Sequence, residues 1–431
     1  MDVEKKVNEI IELSNRHLSK MYRKYYPFIP ERAVDDIIYS IDGKPYIDLY
    51  GGISIANVGW SNSRVIKAVE DQLQKFFHMP SIYYLDHMAR LAKRLAELSP
   101  GGHLTKCFFL NSGSEAVETS IVISKRVKKK PYIISLHRSF HGKTYYAVSL
   151  TGQANWKLDL APMAPVVFAP DPYCYRCPLG HEEYPDCGLA CARYIEDIIK
   201  CEIGNYASAF IAEPIMANGG MIIPPKEYFK EVKRVLDKYS ILFIADEVQS
   251  GNGRSGKLWA IEHYDVVPDI LITSKALANG IPISVVIYRE EYDEFLVPGE
   301  HYSTFGGNAL ACIAAEVVLD ELINGLIGEA AEKGNYLIRR LNELKDKHDI
   351  IGDVRGVGLF IGMELVKNRL TKVPAKEETF KFVNEAWKRR VLVGFGGLEG
   401  NVIRLEPPLT IKREHIDYAI EAFDSILRDI K

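Results

Sequence analysis

Two stretches, 241–256 (ILFIADEVQSGNGRSG) and 269–280 (DILITSKALANG), decide the fold class of this chain. Each contains a short apolar run that is typical of a buried parallel strand. The first run ends at Asp246, and the second leads into Ser274 and Lys275. Because α/β sheets place ligand-binding residues at the carboxyl ends of their strands, these side chains are candidates for one site.

A carboxylate and a lysine at the ends of two strands suit the cofactor pyridoxal phosphate (PLP). Its aldehyde needs a lysine with which to form a covalent link, and its ring nitrogen needs an acidic partner. A plain salt bridge between Asp246 and Lys275 would explain the same pattern equally well.

Five further apolar runs flank these two, and helix-like stretches separate many of them. The runs are 104–113 (LTKCFFLNSG), 131–137 (PYIISLH), 164–170 (APVVFAP), 208–214 (SAFIAEP) and 283–289 (ISVVIYR), and helices are expected over 115–127, 190–201 and 228–239. The alternation predicts an α/β protein with a mainly parallel, seven-stranded sheet. We assign residues 61–318 to this large domain, 319–431 to a smaller α+β domain, and 1–60 to an N-terminal arm.

The run that ends at Leu110 is followed by a small polar turn and then by a helical pattern beginning at Glu115. Backbone N–H groups at Gly113 and Ser114, with the positive end of the helix, would form a phosphate cradle. An ordinary helix start capped by Ser114 is the alternative. In 139–144 (SFHGKT), Phe140 is a candidate to lie over a flat cofactor, although plain packing also accounts for it.

Composition excludes several classes of protein. The chain is 47% hydrophobic and 26% charged with a formal net charge of −3, which argues against disorder and against nucleic acid as a partner. No apolar segment resembles a secretory signal or a membrane span, so we expect a cytoplasmic protein. Glutamine is scarce while lysine, glutamate, isoleucine and tyrosine are plentiful, which favours a thermophilic source.

Taken together, these motifs resemble the class III (ω-amino acid type) aminotransferases, which are PLP enzymes of fold type I. The resemblance covers nearly the whole chain and is nearest to the alanine–glyoxylate and 4-aminobutyrate branch. It rests on NSGSEA, FHGKT, AEP, IADEVQSGNGRSG, SKALANG, STFGGNALAC, GDVRGVGLFIGMELV and NVIRLEPPLTI. It implies transfer of an amino group from an amino acid, such as alanine or 4-aminobutyrate, to glyoxylate, pyruvate or 2-oxoglutarate.

The resemblance also implies residue roles. Lys275 would bond to the cofactor and move the substrate proton, and Asp246 would pair with the pyridine nitrogen. The implied cofactor-binding residues are Gly113, Ser114, Phe140, His141, Glu213, Asp246, Val248, Gln249, Lys275 and Thr304.

Two of the implied roles concern the substrate and the subunit structure. Thr304 would reach the phosphate of a neighbouring subunit, so the resemblance implies a homodimer with shared sites, or a tetramer built from it. Arg404 would bind the substrate carboxylate as a bidentate pair. Where some relatives have a glutamate that neutralises this arginine, the chain has Asn218. We therefore expect Arg404 to stay open, which favours α-amino acids as donors.

An insertion over 171–192 contains four of the seven cysteines, Cys174, Cys177, Cys187 and Cys191. Their spacing suits a structural zinc ion. It also suits two disulfides, or four reduced thiols in a packed loop.

Two other classes of function compete with an aminotransferase. A racemase or lyase on the same scaffold would share Lys275 and Asp246. A non-enzymatic regulator of this fold would be expected to have lost the lysine or the phosphate cradle, and the chain keeps both.

Overall fold

The computed structural model describes residues 3–22, 24–157 and 164–430. Its α-helices are α1 Val3–His17, α2 Gly51–Ser54, α3 Ser63–Leu73, α4 Asp86–Glu97, α5 Gly113–Lys128, α6 Tyr145–Leu150, α7 Ala190–Ile198, α8 Tyr228–Tyr239, α9 Ala309–Glu321, α10 Ile327–Lys347, α11 Lys376–Lys388 and α12 Arg413–Asp429. Its strands are β1 Pro30–Val34, β2 Ile37–Ser40, β3 Pro45–Asp48, β4 Lys106–Leu110, β5 Tyr132–Leu136, β6 Val166–Ala169, β7 Ala207–Ala212, β8 Leu242–Asp246, β9 Ile270–Thr273, β10 Ser284–Tyr288, β11 Ile351–Val357, β12 Phe360–Leu365, β13 Val391–Leu392, β14 Gly394–Gly396 and β15 Val402–Leu405.

The central sheet has seven strands in the order β4-β10-β9-β8-β7-β5-β6. Strand β10 runs antiparallel to both of its neighbours, and the other pairs in the sheet are parallel. Every residue of β7, β8, β9 and β10 is buried, which explains why these strands read as continuous apolar runs. The predicted α/β fold with a mainly parallel, seven-stranded sheet is confirmed.

Helix α8 matches its predicted bounds, whereas α5 begins two residues earlier than expected. Ser112 is the N-cap: its side chain accepts a hydrogen bond from the Glu115 N–H, and the Glu115 carboxylate accepts one from the Ser112 N–H at 2.7 Å. This reciprocal capping box fixes the start of α5. The alternative interpretation, in which Ser114 caps the helix, is therefore wrong, and the Ser114 side chain is left free for another role.

A second sheet, β11-β12-β15-β14, is antiparallel and belongs to the C-terminal part of the chain. The N-terminal arm contributes β1, β2 and β3 to a third sheet, in which β3 pairs in parallel with β13. The arm therefore packs on the C-terminal part of its own chain. The division into residues 1–60, 61–318 and 319–431 stays a prediction.

Of the three alternatives for the cysteine-containing insertion, the structure contains the one with reduced thiols. All four of its cysteines carry free thiols, so neither expected disulfide is present. Within the described ranges, no group of three or more histidine, cysteine, aspartate or glutamate side chains is arranged to hold a metal ion. The structure therefore gives no support to a zinc site at Cys174, Cys177, Cys187 and Cys191.

None of the described helices has both the length and the apolar character needed to cross a membrane.

Candidate active site

A cavity of about 180 Å³ lies at the carboxyl ends of β8 and β9, where parallel sheets present their ligand-binding residues. Every predicted cofactor residue except Thr304 lines it. The lining consists of Ser112, Gly113, Ser114, Phe140, His141, Gly142, Glu213, Asp246, Val248, Gln249, Ser274 and Lys275.

Asp246 is fixed from two sides at the end of β8. Its Oδ2 accepts a hydrogen bond from His141 Nδ1 at 2.7 Å, and its Oδ1 accepts one from the Val248 N–H at 3.1 Å. His141 is itself buried, and its backbone N–H donates to Thr151 Oγ1 at 3.0 Å. His141 thus holds both its loop and the Asp246 carboxylate, so that one buried anion faces the cavity in a set orientation.

Lys275 follows β9 in a strained conformation, with φ of +43°, a region that residues with a side chain seldom occupy. Its Nζ donates to Gln249 Oε1 at 2.8 Å. Burial lowers the pKa of Lys275 from 10.5 to about 8, against the opposing influence of the Glu406 carboxylate. About a tenth of this amine is therefore neutral at pH 7, far more than at the ordinary lysine value of 10.5, and an amine must be neutral to act as a nucleophile or base.

This lowered pKa makes a prediction for the protein stripped of cofactor. Only the neutral amine attacks an aldehyde, so the rate at which PLP becomes covalently attached should rise with pH through about 8 and level off above it. Stopped-flow absorbance of apoenzyme mixed with PLP at a series of pH values measures this rate. A midpoint near 10.5, the ordinary lysine value, would show that burial does not tune Lys275.

The phosphate cradle depends on two close approaches of backbone. A Cβ at Gly113 would lie 2.8 Å from Val248 Cγ1, and a Cβ at Gly142 would lie 2.3 Å from Ser114 Oγ. The Lys143 N–H also donates to Ser114 Oγ, at 3.1 Å. Glycine at these two positions therefore lets the start of α5 lie close to Val248 on one side and to the 140–143 loop on the other.

Glu213 follows β7 and is buried beside Asp246. Its Oε1 accepts a hydrogen bond from the Phe140 N–H at 2.8 Å, so it anchors the loop that carries Phe140 and His141. Burial, with a further contribution from the Asp246 charge, raises the pKa of Glu213 to about 7.

Arg404, at the end of β15, is almost wholly buried and already has an anionic partner. Its Nε donates to Glu406 Oε1 at 2.7 Å, and its Nη1 donates to Asn218 Oδ1 at 3.0 Å. The expectation that Arg404 stays open because Asn218 is neutral is therefore wrong. The neutralising carboxylate is Glu406, which follows β15 directly, rather than a residue of the 213–220 loop.

Glu406 is the site residue that the sequence reasoning missed. Its Oε2 accepts hydrogen bonds from Gln249 Nε2 at 2.9 Å and from Ser54 Oγ. Since Gln249 also receives the Lys275 bond, one chain of hydrogen bonds joins Lys275 to Arg404 through Gln249 and Glu406. In extended backbone, side chains two residues apart point to the same side. The spacing of Arg404 and Glu406 in RLEPP was therefore a signal that the two could pair.

Thr304 lies apart from this cluster, on the exposed surface of the segment before α9. It does not line the cavity of its own chain. A contribution from Thr304 to a neighbouring subunit stays a prediction.

The chemistry of this donor set fits PLP. The cavity presents a buried amine at Lys275, a buried carboxylate at Asp246 and the N-terminal end of α5, which complement an aldehyde, a pyridine nitrogen and a phosphate respectively. Val248 and Phe140 supply apolar surface beside them for the ring. PLP alone therefore accounts for the amine, the carboxylate, the helix end and the apolar surface of the cavity.

Comparison with known proteins agrees with this fit. The family model described as aminotransferase class-III matches residues 19–427. The leucine/methionine racemase of Thermococcus litoralis is 39% identical, over 98% of this chain and 96% of that protein. The probable 4-aminobutyrate aminotransferase of Bacillus subtilis is 34% identical, over 91% of each. The alanine–glyoxylate aminotransferase 2 homolog 2 of Arabidopsis thaliana is 35% identical, over 94% and 83%.

A solved structure shares the whole architecture. An aminotransferase of Bacillus anthracis superposes with a TM-score of 0.92 at 31% identity, over 99% of each chain. The family match, the relatives and the cavity lead to one conclusion. The chain belongs to the class III aminotransferase family and is a PLP-dependent enzyme of fold type I.

Proposed function

We propose that this enzyme moves an amino group from an amino acid, alanine or an ω-amino acid such as 4-aminobutyrate, to a 2-oxo acid such as glyoxylate, pyruvate or 2-oxoglutarate. The observation that carries the proposal is the match of residues 19–427 to the aminotransferase class-III family model. The site adds a chain of hydrogen bonds from Lys275 through Gln249 and Glu406 to Arg404. It joins a proton-transfer group to a cation that can bind a carboxylate, and both substrates of a transamination need that pair.

The residues have separate tasks in this proposal. Bound PLP supplies the electron-withdrawing ring that stabilises negative charge on the substrate carbon. Lys275 Nζ takes the proton from the donor's carbon, and it gives a proton back when the amino group is passed to the 2-oxo acid. Asp246, held by His141, would pair with the ring nitrogen, and Phe140 and Val248 would supply the apolar surface for the ring.

A second candidate, amino acid racemization, is supported by the 39% identity to a leucine/methionine racemase. A racemase would use the same lysine and carboxylate but return the proton to the opposite face of the carbon. It would consume no 2-oxo acid. The hydrogen-bonded chain does not distinguish the two reactions, because both begin with removal of the same proton.

Product analysis separates the two candidates. The purified enzyme is incubated with L-alanine or 4-aminobutyrate, with and without a 2-oxo acid, and the products are resolved by chiral chromatography. We expect a new amino acid to form in equal amount to the donor consumed, and only when the 2-oxo acid is present. D-alanine formed from L-alanine alone would overturn the proposal in favour of racemization.

We further propose that the enzyme is a cytoplasmic homodimer, or a tetramer built from it, from a thermophilic source. The exposed position of Thr304 leaves it accessible to a second subunit, and the scarcity of glutamine is typical of thermophilic proteins.

A further inference from the structure

We propose that Asn252 is a positioning residue for Lys275. It holds the backbone carbonyl group that precedes the lysine, and thereby directs the lysine amine into the cavity. This inference rests on the proposed role of Lys275 as the residue that bonds to PLP, and it adds a residue that does not itself line the cavity.

The backbone at Lys275 needs support from its surroundings. With φ of +43° the residue lies in the left-handed region, which is unfavourable for a residue with a side chain. A change in this angle rotates the Ser274–Lys275 peptide group relative to the lysine side chain. A contact that fixes this peptide group therefore also fixes the direction in which the amine points.

Asn252 makes such a contact. Its Nδ2 donates to the Ser274 carbonyl oxygen at 3.3 Å and to Thr273 Oγ1 at 3.0 Å. A carbonyl oxygen can only accept a hydrogen bond, so the NH₂ end of the Asn252 amide must face it. Ser274 is held a second time, because its Oγ donates to the Ile283 carbonyl oxygen at 2.7 Å.

The loop that contains Asn252 also holds the other end of Lys275. Gln249, three residues before Asn252, accepts the hydrogen bond from Lys275 Nζ at 2.8 Å. Asn252 is in turn fixed by Asn57, whose Nδ2 donates to the Asn252 carbonyl oxygen at 2.6 Å. One short loop therefore contacts the lysine both at its amine and at the peptide group before it.

Stability alone does not account for an asparagine at position 252. The side chain is almost fully buried, yet its Oδ1 has no hydrogen-bond partner within the described ranges, and such an unpaired atom is costly. Its φ of +56° is also easier for glycine than for asparagine. What the asparagine adds is the pair of hydrogen bonds to the end of β9, directly before Lys275.

The variant Asn252→Gly removes both side-chain bonds and keeps the left-handed backbone accessible. Stopped-flow mixing of apoenzyme with PLP over a range of pH gives a rate profile whose plateau belongs to the neutral amine. The plateau rate therefore reports where the amine lies rather than its protonation. We expect this rate to fall about tenfold or more, because the amine is no longer held in position. A plateau at the wild-type value would overturn the inference.

The matched control is Asn279→Gly, which makes the same change at another left-handed asparagine, with φ of +49°. The Asn279 side chain accepts from the Val58 N–H at 3.2 Å and donates to the Gly59 carbonyl oxygen at 2.8 Å. It thus holds the N-terminal part of the chain rather than the peptide group before Lys275, and the plateau rate should match the wild type. An equal loss of rate in both variants would show a general loosening and overturn the role of Asn252.

A second variant, Asn252→Leu, fills the space of the side chain without replacing its hydrogen bonds. We expect the same fall in the plateau rate, so either variant that folds decides the question. The holoenzymes provide a further signature, since the circular dichroism of the visible band depends on how the bound cofactor is oriented. We expect its intensity per unit absorbance to change in the Asn252 variants and to stay constant in Asn279→Gly. An unchanged signal in the Asn252 variants would overturn the inference.

Failure of the proposed role of Lys275 would look different. Borohydride reduction of the wild-type holoenzyme, followed by peptide mapping, identifies the lysine that carries PLP. PLP on another lysine would overturn that role. PLP on Lys275, together with a wild-type plateau in Asn252→Gly, would overturn the positioning role of Asn252 alone.

Discussion

Replacing Lys275 by alanine is expected to abolish turnover and the visible absorbance of bound cofactor. The buried Nζ lies 2.8 Å from Gln249 Oε1, and in the proposed function it is the group that bonds to the cofactor and moves the substrate proton. Removal of a nucleophile from an enzyme site has cost about 10⁶-fold in kcat, so a loss of roughly 10⁴-fold or more is expected here. Absorbance spectra and steady-state rates of the purified variant measure it.

Lys143→Ala is the matched control for this experiment. Lys143 lies in the loop that carries Phe140, but its Nζ is exposed and donates to the Trp156 carbonyl oxygen at 2.8 Å rather than facing the cavity. This variant should keep the visible band and the rate of the wild type. Turnover retained by Lys275→Ala, or a band lost in Lys143→Ala, would show that another lysine carries the chemistry.

The second large effect is expected for Asp246→Asn. The amide keeps the shape of the side chain, so the cofactor should still bind, but it no longer places a negative charge at the ring nitrogen. Removing one preorganised electrostatic group costs about 10²–10³-fold in rate, and we expect a loss of that order in proton removal. Single-turnover kinetics with α-deuterated alanine measure this step and its isotope effect.

The control removes a buried aspartate elsewhere in the sheet. Asp269 precedes β9, and its carboxylate accepts hydrogen bonds from the Phe243 N–H at 2.9 Å and the Tyr292 hydroxyl at 3.1 Å. Asp269→Asn should alter stability and leave the rate per folded enzyme unchanged. A wild-type rate of proton removal in Asp246→Asn would contradict the role assigned to Asp246.

The sequence predicted those parts of the molecule in which local pattern and tertiary structure agree. The central strands are buried on both faces, so their apolar runs mark them directly, and Asp246 and Lys275 follow from where two of those runs end. The predicted residues line one cavity because parallel strands bring their carboxyl ends to the same edge of the sheet.

The sequence failed where a residue's role depends on which side chain it meets. Asn218 was correctly identified as neutral, but the partner of Arg404 is Glu406, whose position opposite Gln249 and Ser54 is set by tertiary packing. The spacing of the cysteines left three alternatives open, because ligand geometry depends on the path of the loop between the cysteines. The cap of α5 is Ser112 rather than Ser114, the residue of the alternative interpretation, because Ser112 exchanges hydrogen bonds with Glu115.

The central claim is that this cavity moves an amino group from a donor to a 2-oxo acid, with Lys275 making the proton transfers. The most direct measurement is a titration of the holoenzyme's visible spectrum with 4-aminobutyrate and then, after removal of the donor, with 2-oxoglutarate or glyoxylate. The account predicts that the absorbance band disappears with the donor and returns with the 2-oxo acid, with one amino acid formed per site. A band that persists with every amino donor, or that never needs a 2-oxo acid to return, would contradict it.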